Sequence, residues 1–262
     1  MSRRACDLTR EEMEEDIMGT DLVVTLEGEV FGLIHGLDEH PGARRLFAGA
    51  VTVAEYAHYL EQTYHYVRWT RPLLARAGER LAEAGGQDAL AELLLGKAAE
   101  ETGHEQWALS DLGALGRDAE AVRRSRPCAA VEAYVAWNRF TAEAGSPLAF
   151  LGTAYVLESL SALRAGEAVM NLLARGAIPR IEEAVLFLRG HAGADGPHIA
   201  HLASVLREVA DPKARGAIAL SARVTRELYA GIFDRGAHAG RVTDATPRSS
   251  SSEPGHARGM YH

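Results

Sequence analysis

Apolar residues recur at helical spacing along most of the chain. Alanine and leucine are interspersed with glutamate and arginine, and runs of β-branched residues are scarce. Apolar positions three and four residues apart share one face of a helix, and these residue types favour helices. The pattern predicts an all-α bundle of about seven to eight helices, at residues 9–36, 52–84, 87–115, 128–144, 146–175, 178–191, 197–210 and 212–235.

Capping and helix-breaking residues set the ends of these predicted helices. Serine, threonine or aspartate before a helix caps its free N–H groups, and proline suits its first position. A Thr-x-x-Glu spacing adds a capping box. The predicted starts are Thr52 with Glu55, Ser146-Pro147 and Asp211-Pro212, and the predicted breaks are His40-Pro41-Gly42 and Gly85-Gly86.

The composition changes near residue 236. From there serine, glycine, arginine and proline dominate, a mixture typical of disordered segments. We therefore predict one helical domain at 1–235 and a disordered tail at 236–262. Histidines in such a tail, His256 and His262, are poor candidates for metal ligands.

Composition and charge argue against several classes of partner. The net charge is −8 and no long basic block occurs, which argues against nucleic acid binding. No stretch of about 18 uncharged apolar residues is present, so no membrane span is predicted. Acidic residues follow Arg3 and Arg4 where a secretory signal would be apolar. With only two cysteines, Cys6 and Cys128, the chain fits a reducing compartment, and we expect a cytoplasmic protein.

The first candidate for chemistry is the pair Glu101 and His104. Their spacing of three places both on one face of a predicted helix. Helical bundles offer a carboxylate and an imidazole to paired metals by this Glu-x-x-His spacing. The motif alone is weak, since it recurs at Glu55-His58 and Glu253-His256, and for an isolated pair a solvated helix face is the favoured alternative.

A second candidate is Glu158, the only acidic residue between Glu143 and Glu167. It stands in a long apolar helix, where a buried carboxylate requires a partner. A metal ion would be such a partner. A structural ion pair, for example with Arg164, is the alternative.

The third candidate is the series His191, Asp195 and His198. These residues follow positions i, i+4 and i+7, which would form one stripe on an unbroken helix. Gly196-Pro197 predicts a kink there, with Asp195 capping the helix that follows. A polar helix break with solvated histidines is the alternative, and His201 is a spare imidazole on the next turn.

Together these segments supply three carboxylates and three imidazoles. Such a donor set suits two ferrous or ferric ions, and the same ligands accept manganese. No thiolate takes part, which argues against a closed structural zinc site. The predicted metal ligands are Glu101, His104, Glu158, His191, Asp195 and His198.

The three segments resemble the haem-oxygenase-like di-iron oxidases, a superfamily that shares its fold with haem oxygenase, thiaminase II and pyrroloquinoline-quinone synthase. The family pattern is Glu-x-x-His, then a lone Glu, then His-x-x-x-Asp-x-x-His. All six positions match here, and the spacing between segments is similar to that of the 1-undecene-forming fatty acid decarboxylases. The resemblance spans about residues 50–235 in helical layout.

The resemblance implies a haem-oxygenase-like helical bundle that holds two irons and uses O₂ as co-substrate. It also implies a small-molecule substrate: an amino acid, another small carboxylate or an amine, with a medium-chain fatty acid as the second choice. Desaturation, oxidative decarboxylation, C–C cleavage and N-oxygenation all stay open, as does the electron donor. A homodimer is compatible with the fold. Gly193, Gly196 and Pro197 weaken a regular helix, so we expect the iron site built from His191, Asp195 and His198 to bind weakly.

The helix at 52–84 is the predicted substrate-facing element. Glu61, Tyr64, His65 and Arg68 share one face of it. Arg68 is predicted to bind a substrate carboxylate, with Arg164 and Arg189 as rivals, and Tyr155, one turn before Glu158, to face the same cavity. The alternative is a local pairing of Glu61 with His65 or Arg68 along the helix.

Two other functions fit parts of the pattern. A ferritin-like metal-handling bundle would pair Glu55-His58 with Glu101-His104, although Glu55 also serves as a helix cap. A metal-free relative of thiaminase or quinone synthase would share the fold, but a thiaminase needs a nucleophilic cysteine. Cys128 at a helix start and Cys6 near the terminus lie far from the predicted pocket in sequence.

Overall fold

A computed structural model of the chain describes residues 21–192 and 195–234, apart from the side chains of 195–197. Every regular element in this part is a helix, which confirms the predicted all-α class. The predicted helical start at 9–20 and the predicted tail at 236–262 lie outside the described residues. The α-helices are α1 (Leu22–Glu39), α2 (Pro41–Phe47), α3 (Val53–Ala84), α4 (Asp88–Glu100), α5 (His104–Ala114), α6 (Ala119–Arg124), α7 (Ala129–Glu143), α8 (Ala149–Arg175), α9 (Leu186–Ala192), α10 (Asp195–Arg207) and α11 (Pro212–Tyr229).

The single helix predicted at 87–115 is wrong, because the chain forms two helices there. α4 ends at Glu100 and α5 begins at His104. Between them Gly103 has a φ of 87°, a left-handed conformation that only glycine adopts without steric cost. Glu101 and His104 therefore lie on either side of a turn and do not share an unbroken helix face.

Predicted helix starts are correct where a side chain caps the helix. The hydroxyl of Thr52 accepts a hydrogen bond from the Glu55 N–H, and the Glu55 carboxylate accepts one from the Thr52 N–H. The carboxylate of Asp211 caps α11 by accepting hydrogen bonds from the N–H groups of Lys213 and Ala214. The start predicted at Ser146-Pro147 is wrong, since α8 begins at Ala149 without any side-chain cap.

Two short helices, α2 and α6, were not predicted because they span fewer residues than a periodic pattern needs. His40 ends α1, but its imidazole also caps α2, which begins at the next residue. The segment predicted as a helix at 178–191 is a 3₁₀ turn, Ile181–Glu183, followed by the short α9. A second 3₁₀ turn, Ala230–Phe233, follows α11.

The two longest helices, α3 and α8, organise the bundle. α8 packs against α1, α2, α7, α9, α10 and α11, whereas α3 packs against α4, α5 and α7. Residues of both helices line one internal cavity, which lies between them. No described helix combines the length and the apolar character that a membrane crossing requires.

The contact between α8 and α11 is close and partly polar. The buried Thr153 hydroxyl lies 3.0 Å from the hydroxyls of both Ser221 and Thr225, and it donates to the side-chain oxygen of Asn138. One residue earlier, Gly152 lets the two backbones approach: a Cβ there would stand 2.0 Å from the carbonyl oxygen of Ile218. Buried hydroxyls that pair with one another satisfy their hydrogen bonds without water.

We expect Gly152→Ala to destabilise the fold, because its methyl group would overlap backbone atoms of α11. Overpacking of this kind costs about 1–3 kcal/mol in the free energy of unfolding. Urea denaturation followed by circular dichroism measures the effect. The matched control is Gly166→Ala on the same helix, where the nearest atom would lie at an ordinary 3.9 Å. Equal stability of the two variants would contradict the prediction.

Candidate metal centre

The cavity between α3 and α8 has a volume of about 310 Å³, within the usual range for small-molecule sites. Much of its wall is apolar, with Leu74, Phe150 and Leu157 among the lining residues. Hydroxyl groups of tyrosine, threonine and serine are interspersed with these side chains. The ionisable lining residues are Lys97, Glu100, Glu101, His104, Glu158, His191 and His198, besides the tyrosines Tyr59, Tyr66, Tyr134 and Tyr229.

Three of the predicted ligands converge in this cavity. Glu101, His104 and His191 each present a donor atom, and the three donor atoms lie within 4.8 Å of one another. Glu101 follows the last residue of α4, His104 begins α5, and His191 lies in the last turn of α9. The turn at Gly103 thus brings the carboxylate and the first imidazole together, with His104 Nδ1 3.1 Å from Glu101 Oε2.

The ring of His191 is oriented by its own helix. Its Nδ1 lies 2.8 Å from the carbonyl oxygen of Phe187, so Nδ1 carries the hydrogen and donates it. In the neutral ring this leaves a lone pair on Nε2, the usual arrangement for a histidine that binds a metal. Burial lowers the pKa of His191, although the bond to Phe187 and the charge of Glu101 act in the opposite direction.

Aromatic contacts hold His104 in place. Its ring stacks on Trp107, with centroids 4.0 Å apart, and meets the His191 ring edge-on at 4.9 Å. Gly190 makes room for the indole, since a Cβ at that position would come within 2.6 Å of the Trp107 ring. The glycine before His191 therefore allows α9 to approach α5 closely.

Asp111 fixes the start of the helix that carries His191. It is fully buried in α5, and its two carboxylate oxygens accept hydrogen bonds of 2.9 Å from the N–H groups of Leu186 and Phe187. These are free N–H groups at the N-terminus of α9, which a carboxylate satisfies well. Asp111 was not predicted from the sequence, although it is a lone acid between Leu109 and Leu112, and a lone acid among apolar residues is the signal that indicated Glu158.

Burial raises the pKa of Asp111 from 3.8 to about 6, while the N–H groups of Phe187 and Leu186 and the charge of Arg189 act against this rise. Because the pKa is higher in the folded chain, the folded state takes up a proton first as the pH falls. The associated gain in stability is complete below pH 3.8 and is lost as the pH rises through about 6.

We expect Asp111→Asn to flatten this pH dependence. At neutral pH it should also lower the free energy of unfolding by about 1–3 kcal/mol, because one N–H of α9 loses its acceptor. Chemical denaturation at a series of pH values measures both effects, with the exposed Asp88→Asn as the control. A variant that keeps the wild-type pH profile would contradict the role given to Asp111.

Glu158 lies on the wall of the same cavity and forms the ion pair considered as an alternative, but with a different partner. The ammonium of Lys97 donates to Oε1 of Glu158 at 2.6 Å. Arg164, the partner suggested from the sequence, instead binds Asp38 at 2.7 Å. Burial raises the pKa of Glu158, as do the charges of Glu101 and Glu100, whereas the charge and hydrogen bond of Lys97 lower it.

The remaining two predicted ligands lie apart from the triad or outside the described atoms. His198 lines the rim of the cavity, with 44% of its side chain exposed and its Nδ1 3.8 Å from Glu100 Oε2. The side chain of Asp195 lies outside the described part of the structure. The described side chains place His191 with Glu101 and His104. The grouping of His191 with Asp195 and His198 stays a prediction.

The residues present fit a bound metal ion. Oε2 of Glu158 is buried without a hydrogen-bond partner, and Nδ1 of His104 lies 3.1 Å from Glu101 Oε2 but does not form a hydrogen bond with it. Buried polar atoms rarely stay unsatisfied in proteins, and a divalent cation would satisfy both types of donor. Carboxylate oxygens and imidazole nitrogens without thiolates suit iron or manganese.

The predicted substrate-facing residues do not line this cavity, which corrects the choice of helix face. On α3 the lining residues are Tyr59, Tyr66, Val67, Thr70 and Leu74. His65 and Arg68 instead border a shallow depression between α3 and α7.

The other residues that were predicted to face the substrate bind other side chains or lie outside the cavity. The Arg68 guanidinium lies over the rings of Tyr64 and Trp69, and Glu61 pairs with Arg117. Tyr155 is buried outside the cavity lining, and Arg189 is exposed on α9. Helical periodicity identifies residues that share a face but does not identify which face points inward.

Comparison with known proteins gives a family and a fold. The family model described as "iron-containing redox enzyme" matches residues 57–230. No curated protein matches the chain significantly. A domain of unknown function with a heme oxygenase-like fold, from Shewanella denitrificans OS217, superimposes with a TM-score of 0.66 at 23% identity, covering 87% of this chain and 91% of that one.

Two TenA homologues have similar structures. The one from Pseudomonas syringae pv. tomato str. DC3000 gives a TM-score of 0.63 at 14% identity, over 81% of this chain and 88% of that chain. The one from P. horikoshii OT3 gives 0.61 at 14% identity, over 82% and 99%. At this level of identity the likeness concerns the fold, and it confirms the predicted haem-oxygenase-like bundle.

Proposed function

The chain belongs to the family of iron-containing redox enzymes, and from this premise we propose that it is a non-haem di-iron oxidase that uses O₂ on a small organic substrate. The observation that carries the proposal is that donor atoms of Glu101, His104 and His191 lie within 4.8 Å of one another in the cavity between α3 and α8. The unpaired Oε2 of Glu158 in the same cavity supplies a further ligand.

The residues divide into two groups by role. Glu101, His104 and His191 would hold one iron, and Glu158, with the predicted ligands Asp195 and His198, would complete the site for a second. When bound, ferrous iron supplies the electrons that activate O₂. The protein orients the imidazoles through Phe187 and Trp107 and limits the access of water with the surrounding aromatic side chains.

A ferritin-like site at Glu55-His58 has less support. Glu55 caps α3 and forms an ion pair with Arg45 at 2.6 Å. His58 lies 3.1 Å from the carbonyl oxygen of Asp234, at a small depression separate from the cavity. Unchanged iron content in His58→Ala would remove this alternative.

A thiaminase-like reaction through cysteine is not favoured either. Cys128 does not line the cavity, and its thiol lies 3.5 Å from the carbonyl oxygen of Gly231. Cys6 lies outside the described residues. Inhibition by iodoacetamide, or full activity after chelation of metals, would support this alternative.

Anaerobic loading with ferrous iron tests the proposal. We expect about two irons per chain, as in other bundles with this type of carboxylate and histidine donor set. Exposure to O₂ with a panel of candidate acids and amines should then give substrate-dependent O₂ consumption. Failure to bind iron, or O₂ consumption that no substrate influences, would contradict the proposed function.

A further inference from the structure

Lys97 is the least expected residue on the cavity wall. It is the only lysine or arginine among the described residues that line the cavity. Only 6% of its side chain is exposed, and its nitrogen lies 2.6 Å from Oε1 of Glu158. It stands on α4 one turn before Glu101, so its charge lies beside the ligands of the metal site.

The choice of lysine is itself unusual in this chain. Lysine and arginine together number 28, but lysine occurs only at positions 97 and 213. Arginine presents a rigid planar fork, whereas lysine carries a compact charge on a flexible stem that can turn from one acceptor to another. Position 97 therefore has a basic side chain whose three hydrogens can reach more than one acceptor within a small space.

A metal ion bound through Oε2 of Glu158 would neutralise the negative charge that pairs with Lys97, while Oε1 still accepts its hydrogen bond. A buried ammonium that loses its counter-charge is destabilised, so the cavity then favours a second anion beside Lys97. Glu101 would be engaged by metal, and Glu100 is about half exposed and lies toward His198. The remaining source of an anion is a molecule bound in the cavity.

We propose that Lys97 binds the carboxylate of the substrate, which is a monocarboxylate with an apolar body. The inference rests on the proposed function, because a metal ion must first take up Glu158. The ammonium of Lys97, which has three hydrogens to donate, then binds the substrate carboxylate and keeps its contact with Oε1 of Glu158. The apolar body packs against side chains such as Phe150 and Leu157. A substrate amine placed at the same point would meet a like charge.

Ligand binding to metal-loaded protein tests the proposal without turnover. Protein loaded with Zn²⁺ is titrated calorimetrically with octanoate, octan-1-ol and octylammonium, and we expect octanoate to bind most tightly. Lys97→Met should weaken the binding of octanoate at least about tenfold, the usual effect of losing a charged hydrogen bond. The affinity for octan-1-ol should not change. Lys97→Arg should keep part of the preference, and the exposed control Lys213→Met should keep all of it.

A measurement on the unmodified protein avoids any dependence on the folding of the variants. Labelling with ¹³C-lysine gives only two ε-methylene signals, from Lys97 and Lys213, because the chain has two lysines. We expect the chemical shift of the Lys97 signal to change when Zn²⁺ binds. It should change again when octanoate is added, but not when octan-1-ol is added. The Lys213 signal should stay in place throughout.

The outcomes separate this inference from the proposed function. Protein that does not bind two metal ions contradicts the proposed function. Protein that binds two metal ions, but shows equal octanoate affinity in wild type and Lys97→Met, overturns the role of Lys97 alone. If Lys97→Met lost equal affinity for octanoate and octan-1-ol, the role of Lys97 would also be overturned, since that result indicates a change of cavity shape.

Discussion

Glu158→Gln is expected to abolish O₂-dependent turnover while the helical fold is retained. The substitution removes the negative charge that a second iron requires but keeps a carbonyl oxygen within reach of the Lys97 ammonium. A buried ammonium that keeps an acceptor costs less than one left without any, so we expect glutamine to be tolerated better than alanine. Loss of activity should exceed about 100-fold, since removal of partners that merely support metal ligands already costs 10–100-fold.

Iron content and O₂ consumption check this result, together with a circular dichroism spectrum. We expect Glu158→Gln to hold fewer irons than the wild type and to keep its helical signal. The matched control is Glu167→Gln, an exposed acid farther along α8 that pairs with Arg164. Wild-type turnover in Glu158→Gln would exclude Glu158 from the metal site.

Much of the fold could be predicted because long amphipathic helices depend on local rules. The helix at 52–84 was placed within a residue or two, since Thr52 and Glu55 mark its start and glycines its end. The break at residues 101–103 was missed because the sequence reads as helical on both sides. A glycine inside a helical pattern does not reveal a positive φ until tertiary contacts fix the direction of the next helix.

Candidate site residues could be predicted only where an ionisable residue stands within an apolar helix. An acid or histidine in an apolar helix requires a partner, which identified Glu158 and His191. The identity of the partner was not predictable, because Lys97 is 61 residues from Glu158 and reads as an ordinary surface lysine in α4. Arg68 was misplaced for the converse reason, as the sequence did not indicate which face of α3 borders the cavity.

His191→Asn is expected to lower the affinity for the first iron by more than about 100-fold, as the loss of a direct ligand exceeds that of its supporting partners. Asparagine suits this position because its amide N–H can take over the hydrogen bond that Nδ1 donates to Phe187, while the Nε2 donor disappears. The fold should be preserved, since Asp111 still caps α9. The variant therefore separates metal binding from the packing of the helix.

Anaerobic titration with Fe²⁺ or Mn²⁺ measures the change, and thermal denaturation without metal shows whether the fold is kept. The control is His35→Asn, an exposed histidine on α1. If His191 acts through a metal, added Fe²⁺ should raise the melting temperature of the wild type and the control but not of His191→Asn, because ligand binding stabilises only a chain that can bind it. Equal stabilisation of all three proteins would mean that iron binds elsewhere, and that Glu101, His104 and His191 converge for structural reasons alone.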